Sequence, residues 1–299
     1  MEYEVKGKLP KITLPKGIGL ILEGGGTRGY YSSGVFEAFI DEGIMFSYII
    51  GVSAGAANVL NYLSGQKLRG RTILEKHVGD KEYLGYRNLI KHGSLFNFDY
   101  IFEYVAKNYI YFDQEIFDKV KTNLFVGALN IETGDTIWFL KDELGNNYKA
   151  VQASCSVPLV SKVVEYKGHK LLDGGVSCPI AIEKSIEDGN TFHVIILTKN
   201  EGYRKKPFKY KKFLSRYYKE YPKLVDVMIN RHEVYNKQVE LCEKLEKEGK
   251  AIIIRPKDKV KVGRASRNIK KLLELHDAGY EDGKEVIDKI LEMIKNEKI

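Results

Sequence analysis

Ile49-Ile50-Gly51-Val52-Ser53-Ala54-Gly55-Ala56 is a short apolar run that breaks into a Gly-x-Ser-x-Gly turn and continues as a small-residue helix start. A strand ending this way delivers Ser53 to a tight turn whose crowded backbone admits little beyond glycine at Gly51 and Gly55. The helix that follows aims its free N–H groups back at the serine. Gly51, Val52, Ser53, Ala54 and Gly55 thus read as a nucleophile elbow with its hydroxyl at a strand's carboxyl end. Glycine-flanked serines also occur in ordinary loops, so the reading rests on the surroundings.

Upstream, Gly17-Ile18-Gly19-Leu20-Ile21-Leu22 is too short for a helix and reads as a buried parallel strand. It empties into Gly24-Gly25-Gly26-Thr27-Arg28-Gly29. Helical spacing at Val35, Phe36, Phe39 and Ile40 ends at Gly43, and Tyr48-Ile49-Ile50 opens a second strand. Gly24, Gly26 and Gly29 also satisfy the Gly-x-Gly-x-x-Gly spacing of dinucleotide sites. Those sites want a carboxylate at the end of the second strand, where this chain has Ser53. Consecutive parallel strands end at one sheet edge, so the glycine amides can lie beside Ser53 as an oxyanion hole.

Downstream, Gln66 to about Lys121 is rich in aromatics at helical spacing, which reads as core packing and can also wall an apolar cleft. Two hairpins follow, Leu124–Leu129 with Thr136–Leu140 and Lys162–Tyr166 with His169–Leu172. The second runs into Asp173-Gly174-Gly175. Alone this is an ordinary turn; beside the two glycine motifs it places a carboxylate at a strand end as the base for Ser53. Phe192–Thr198 and Ala251–Arg255 read as further strands, with helices to about Lys247 and from Ser266 to the end.

These three stretches together resemble the patatin-like phospholipase family: Gly24 to Gly29 its glycine-rich oxyanion motif, Gly51 to Gly55 its nucleophile elbow, and Asp173-Gly174-Gly175 its Asp-Gly-Gly motif, in the family's order. Cys155-Ser156-Val157-Pro158 is similar to a family segment that precedes the aspartate. The likeness covers roughly Ile18 to Thr198. It implies a three-layer α/β/α fold with a central, mostly parallel sheet, related to α/β-hydrolases. It also implies a lipid acyl hydrolase using a Ser53–Asp173 dyad, with Gly24, Gly25, Gly26, Thr27, Arg28 and Gly29 around the oxyanion. The backbone amides of Gly25, Gly26 and Arg28 are the expected donors. No metal and no cofactor are expected.

The competing chemistry is a Ser–Asp–His triad. None of the six histidines carries a motif, and His232 is the least unsuitable member. Residues 1–199 are expected to form the catalytic domain. Residues 200–299 form a basic, mainly helical region with one strand, packed on that domain; the likeness assigns it little function.

At 299 residues, 43% hydrophobic and 29% charged, the composition is that of an ordinary globular protein. The amino terminus lacks a signal-peptide core and no apolar run reaches the ~20 residues of a membrane span, so a cytoplasmic location is expected. Three scattered cysteines, Cys155, Cys178 and Cys242, suggest neither a disulfide framework nor a zinc site. A formal charge of +8 favours anionic partners. Much of it lies in Arg204–Lys219, where cations alternate with Phe208, Tyr210, Phe213, Tyr217 and Tyr218. Such a stretch suits an anionic membrane surface approached peripherally. Stacking rings among cations also suit single-stranded nucleic acid, and a solvated helix face is the plainest alternative. Nucleic acid is not the expected partner, a non-catalytic interaction protein has little reason to keep all three motifs, and the oligomeric state stays open.

Overall fold

A computed structural model describes residues 5–295; residues 1–4, from the amino-terminal stretch read above, and 296–299, the tail of the expected final helix, lie outside the described residues. In chain order the first elements are β1 (Ile12–Thr13), β2 (Ile18–Leu22), α1 (Tyr30–Glu42), β3 (Ile44–Met45), β4 (Tyr48–Val52) and α2 (Ala54–Leu63). Short helices α3 (Arg69–His77), α4 (Tyr86–His92), α5 (Val105–Asn108) and α6 (Gln114–Lys119) carry the aromatic-rich segment. Then come the hairpin of β5 (Asn123–Asn130) and β6 (Thr136–Leu140), α7 (Lys149–Ser154), the hairpin of β7 (Val164–Tyr166) and β8 (His169–Asp173), α8 (Ile182–Glu187) and β9 (Phe192–Ile196). The chain ends with α9 (Lys211–Tyr217), α10 (Pro222–Lys247), β10 (Ala251–Ile254) and α11 (Ile269–Lys295).

Eight strands form one sheet, hydrogen-bonded in the order β10-β9-β2-β4-β5-β8-β7 with β6 also on β5, while β1 and β3 pair apart. β10, β9, β2, β4 and β5 are parallel. Both faces of this sheet are covered, which is why its strands read as unbroken apolar runs. Leu20, Leu22 and Ile49 join the core that includes α1 and α2, whereas Ile21, Ile50 and Ile195 pack with Tyr235, Val239 and Cys242 of α10. Helices on both faces of a mostly parallel sheet give the three-layer α/β/α arrangement.

The register around β5 decides where the chain ends meet. Phe125 to Gly127 pair with β4 on one edge and β6 on the other, and Ala128 and Leu129 pair with β8 and β6. A residue has two edges, so β4 and β8 share the same edge of β5 in succession. β4 is parallel to β5 and β8 antiparallel, so the two run head-on. Val52 ends opposite Gly127 and Asp173 ends opposite Ala128. The carboxyl ends of two strands are thereby brought together at one point of the sheet.

Residues beyond Lys199 are integral to this frame. β10 pairs along β9 as the edge strand, and α11 lies against α1. The two helices approach through small residues: a β-carbon on Gly34 would collide with the His276 carbonyl, and one on Gly279 with that of Tyr31. Tyr31 Oη donates to Asp282 Oδ2 (2.6 Å) and Tyr280 Oη to Asp41 Oδ2 (2.8 Å) across the same contact. Of the basic and aromatic stretch, only Lys211–Tyr217 is helical.

Candidate active site

Ser53 bridges β4 and α2 at φ 54° and ψ −129°. A positive φ on a non-glycine residue is strained and persists only where its surroundings fix it. Ser154, the last residue of α7, fixes it here: its Oγ accepts from the Ser53 N–H (2.8 Å) and donates to the Gly127 carbonyl (2.6 Å). The Ser53 carbonyl accepts from the Ala57 N–H (3.0 Å), tying the serine to the first turn of α2. The serine side chain is 7% exposed.

Asp173, at the end of β8, is 5% exposed. Its Oδ2 accepts from Ser53 Oγ (2.8 Å) and its Oδ1 from the Gly175 N–H (2.7 Å). Burial pushes its carboxyl above the ordinary carboxylate value. The charge of Arg231, the Ser53 hydroxyl, the Gly175 amide and the charge of Arg264 draw it only partly back. Gly174 must be glycine because a β-carbon would collide with the Gly127 carbonyl.

The glycine-rich turn lies against both. A β-carbon on Gly24 would stand 2.6 Å from Ser53 Cβ, so glycine there is what lets the turn reach the serine. Gly26 has φ +58°, a conformation that favours glycine. Gly25 and Gly26 line the cavity around Ser53, and among the described residues their amides donate to nothing. One expected donor differs. Residues Gly26–Gly29 close as a 3₁₀ turn, so the Arg28 N–H is taken by the Gly25 carbonyl (3.3 Å). Thr27 N–H donates to the Arg264 carbonyl (2.8 Å), and the Gly29 carbonyl accepts from Asn58 Nδ2 (2.9 Å). Gly51 and Gly55 let β4 and α2 pass Leu22, whose Cβ would lie 3.1 and 2.8 Å from added β-carbons. Val52 and Ala54 flank Ser53 as the last residue of β4 and the first of α2.

Two recesses meet at Ser53. One is apolar, lined by Tyr83, Phe96, Phe98, Phe102, Cys155 and Val157. Through Tyr30, Ala57, Tyr83, Ile101 and Phe102 it adjoins a cavity of about 740 Å³ against α3 and the segment before α6. The aromatic-rich segment therefore walls a cleft beside the serine as well as filling core. The other recess, about 160 Å³, holds Ser53 and Asp173 together with Arg28, Lys205, Arg231, Tyr235 and Arg264. Burial and the charge of Arg264 lower the Arg28 guanidinium. Burial, then the charges of Arg231 and Arg264, push the Lys205 ammonium down to about 7, and burial pushes Arg231 down to about 10.

Sequence reasoning misses Ser154, Lys205, Arg231 and Arg264. Ser154 directly precedes the Cys155–Pro158 segment, so that segment carries a signal for it. Arg231 sits in α10 without a motif. Lys205 belongs to the basic stretch yet turns into the recess, with Nζ 4.7 Å from the centre of the Tyr235 ring. The region beyond Lys199, assigned little function above, thus supplies one wall of the site.

None of the histidines lines either recess at Ser53. His193 is buried in β9 against Ser185 Oγ (3.1 Å), and His276 packs Nε2 3.3 Å from Glu37. His232 Nδ1 accompanies the Ile229 carbonyl (3.0 Å) and faces a separate groove. No group of three or more potential metal-ligating side chains occurs among the described residues.

Fold and site define an α/β protein with a strained serine and a buried carboxylate hydrogen-bonded where two strands end. A model of patatin-like phospholipases matches residues 20–183, more than half of the chain. The chain belongs to the patatin-like phospholipase family, a family of lipid acyl hydrolases. A second model, a domain of unknown function (DUF6363), matches residues 221–295. The uncharacterized protein YjjU of Escherichia coli strain K12 is 26% identical over 189 residues, which are 62% of this chain and 52% of that protein. The chain therefore spans about half the length of that relative. The crystal structure of VipD from Legionella pneumophila aligns over 96% of this chain and 70% of that one, with 12% identity and a TM-score of 0.46.

Proposed function

We propose that the protein is a serine acyl hydrolase of the lipase or phospholipase A type, cleaving carboxylic esters of lipids through a Ser53–Asp173 dyad. The observation that carries the reading is the 2.8 Å hydrogen bond between Ser53 Oγ and Asp173 Oδ2, made by a serine held in a strained turn. Asp173 accepts the hydroxyl proton as Ser53 Oγ attacks the acyl carbonyl. The free amides of Gly25 and Gly26 receive the oxyanion, and Asp173 returns the proton to the leaving alkoxide. Water then gives its proton to Asp173 and attacks the acyl-enzyme; Asp173 passes that proton to the departing Ser53 Oγ, releasing the fatty acid and restoring both residues. A carboxylate is a weak base, and burial brings Asp173 closer to the working pH. The apolar recess and the cavity beyond it suit an acyl chain.

Access to lipid calls for a peripheral encounter, since no helix among the described residues is long and apolar enough to cross a membrane. Tyr210, Phe213 and Tyr217 are 69%, 52% and 59% exposed among Lys209, Lys211, Lys212 and Arg216. The neighbouring groove shares Lys205, Arg231 and Arg264 with the Ser53 recess, so a bilayer met by this face would lie at the mouth of the site. The test is hydrolysis of a panel of phospholipid, lysophospholipid, triacylglycerol and p-nitrophenyl esters. Release of fatty acid that vanishes in Ser53→Ala supports the reading, and no release from any ester overturns it.

A further inference from the structure

The cations over the Asp-Gly-Gly turn touch none of the reacting atoms in that mechanism, and Arg231 and Arg264 bear on it only through the charge they present to Asp173. Among the described residues the Arg231 side chain makes no hydrogen bond and no ion pair, and its Nε is buried without a partner. Its guanidinium lies over Gly175, where a β-carbon would be 3.7 Å from Nη2. Lys205 is pinned beside it: its N–H donates to Asn236 Oδ1 (2.8 Å) and its carbonyl accepts from Asn236 Nδ2 (3.1 Å). Arg264 closes the recess from the loop clasped by Thr27, and Arg28 adds a fourth cation. The two carboxylates in the recess are already engaged. Glu23 accepts from the Thr198 N–H (2.5 Å) and Oγ1 (3.0 Å), and Asp173 from Ser53 and Gly175.

Three guanidinium groups and the partly ionised Lys205 ammonium, facing two engaged carboxylates, repel one another when the recess is empty. Such an arrangement disfavours the fold locally and attracts an anion of matching size. Arginine forks suit phosphate oxygens in particular. The recess and the apolar slot meet at Ser53, so an ester at the serine would have its chain in one and its charged end in the other.

We propose that Arg231, Lys205 and Arg264 form a phosphate subsite that selects acyl esters of glycerol phosphate, the phosphate being exposed rather than capped by a cationic headgroup. A choline ammonium would bring like charge against the cluster. The assignment rests on the serine hydrolase reading for its substrate, while the binding of phosphate can be measured apart from catalysis.

The test uses water-soluble dihexanoyl phosphatidate, dihexanoyl phosphatidylcholine and p-nitrophenyl butyrate, with glycerol 3-phosphate and inorganic phosphate titrated calorimetrically into Ser53→Ala protein. The expected preference for phosphatidate over phosphatidylcholine is about tenfold or more in kcat/KM, expressed mainly in KM. Arg231→Met and Arg264→Gln should each reduce kcat/KM for phosphatidate about tenfold more than for p-nitrophenyl butyrate, and abolish glycerol 3-phosphate binding. Arg264 is exposed, so its variant carries the test should Arg231→Met fail to fold. Equal turnover of the two phospholipids, or equal losses on phosphatidate and the butyrate, overturns the subsite and leaves the hydrolase reading standing. Inorganic phosphate binding with no advantage for phosphatidate overturns the lipid assignment. Glycerol 3-phosphate bound by Ser53→Ala, with no ester cleaved by the wild type, would support the anion site and sink the hydrolase reading.

Discussion

Ser53 and Asp173 lie 120 residues apart in the chain, yet Ser53 Oγ donates a 2.8 Å hydrogen bond to Asp173 Oδ2. The cause is topological: β4 and β8 run head-on along one edge of β5, β8 ending in Asp173 and β4 ending at Val52, directly before Ser53. No third side chain stands between them in a relay, which makes the chemistry testable by single substitutions. Asp173→Asn keeps the shape of the carboxyl but cannot take the proton. Turnover should fall by about 10²-fold or more, with the circular dichroism spectrum unchanged. Glutamine at any of the six histidines should cost far less; one histidine as costly as Asp173 would replace the dyad by a triad.

The pH profile follows from the burial of Asp173. The carboxyl must be ionised to accept a proton, and its pKa lies above the ordinary value because burial outweighs Arg231, Ser53, Gly175 and Arg264. kcat/KM should therefore fall on the acid side at a pH above that of an ordinary, solvent-exposed aspartate. Removing the charge of Arg231 should move that limb higher still. For stability the sign is opposite to a salt-bridged acid. The protonated carboxyl suits the folded state, so its stabilising contribution is present below the unfolded pKa and is lost as pH rises through the folded one. Asp173→Asn should accordingly leave Tm at pH 7 unchanged or raise it, and a clear drop in Tm would contradict the burial account.

Ser154 is expected to act by position alone. Its hydroxyl joins the Ser53 N–H to the Gly127 carbonyl in the buried interior. In Ser154→Ala both groups lose their partner, at a cost of about 1–3 kcal/mol in unfolding free energy by denaturant titration. Turnover should fall with it as the strained φ of Ser53 relaxes. Full activity at unchanged stability would show that other contacts hold the elbow.

Much of this site is legible in the sequence because its chemistry sits where backbone geometry demands glycine. Gly24, Gly26, Gly55 and Gly174 each face an atom or a dihedral that excludes a side chain; Gly55 and Gly174 adjoin Ser53 and Asp173 in the chain, while Gly24 and Gly26 fall in a glycine-rich run of their own. The fold class is equally legible, since strands buried on both faces leave unbroken apolar runs. Arg231, Lys205 and Arg264 are not legible. They reach the recess only through the packing of α10, of the segment between β9 and α9 and of the loop after β10, and an arginine in a charged helix has no local pattern that tells a cavity from solvent. The end-to-end meeting of β4 and β8 is likewise a matter of register, which single-strand patterns do not encode.

The exposed face of α9 should bind anionic bilayers. Each cation near such a surface contributes about 1 kcal/mol, and rings anchor at headgroup depth. The protein should sediment with phosphatidylglycerol vesicles, not with phosphatidylcholine vesicles, and be released by raised salt. Changing Lys209, Lys211 and Lys212 to glutamate should weaken sedimentation and slow hydrolysis of vesicle lipid, while a soluble short-chain ester is cleaved as before. Lys205 is left out of this set because it faces the recess. Unchanged sedimentation would make the stretch a solvated face.

The central claim is that Ser53 is an activated nucleophile. Its most direct test is intact-mass and peptide analysis after treatment with a fluorophosphonate, which reacts quickly only with a serine whose proton is taken and whose oxyanion is received. The expected result is a single adduct on Ser53, absent in Ser53→Ala and strongly slowed in Asp173→Asn. No adduct on the folded wild-type protein, or an adduct that persists in Ser53→Ala, would contradict it.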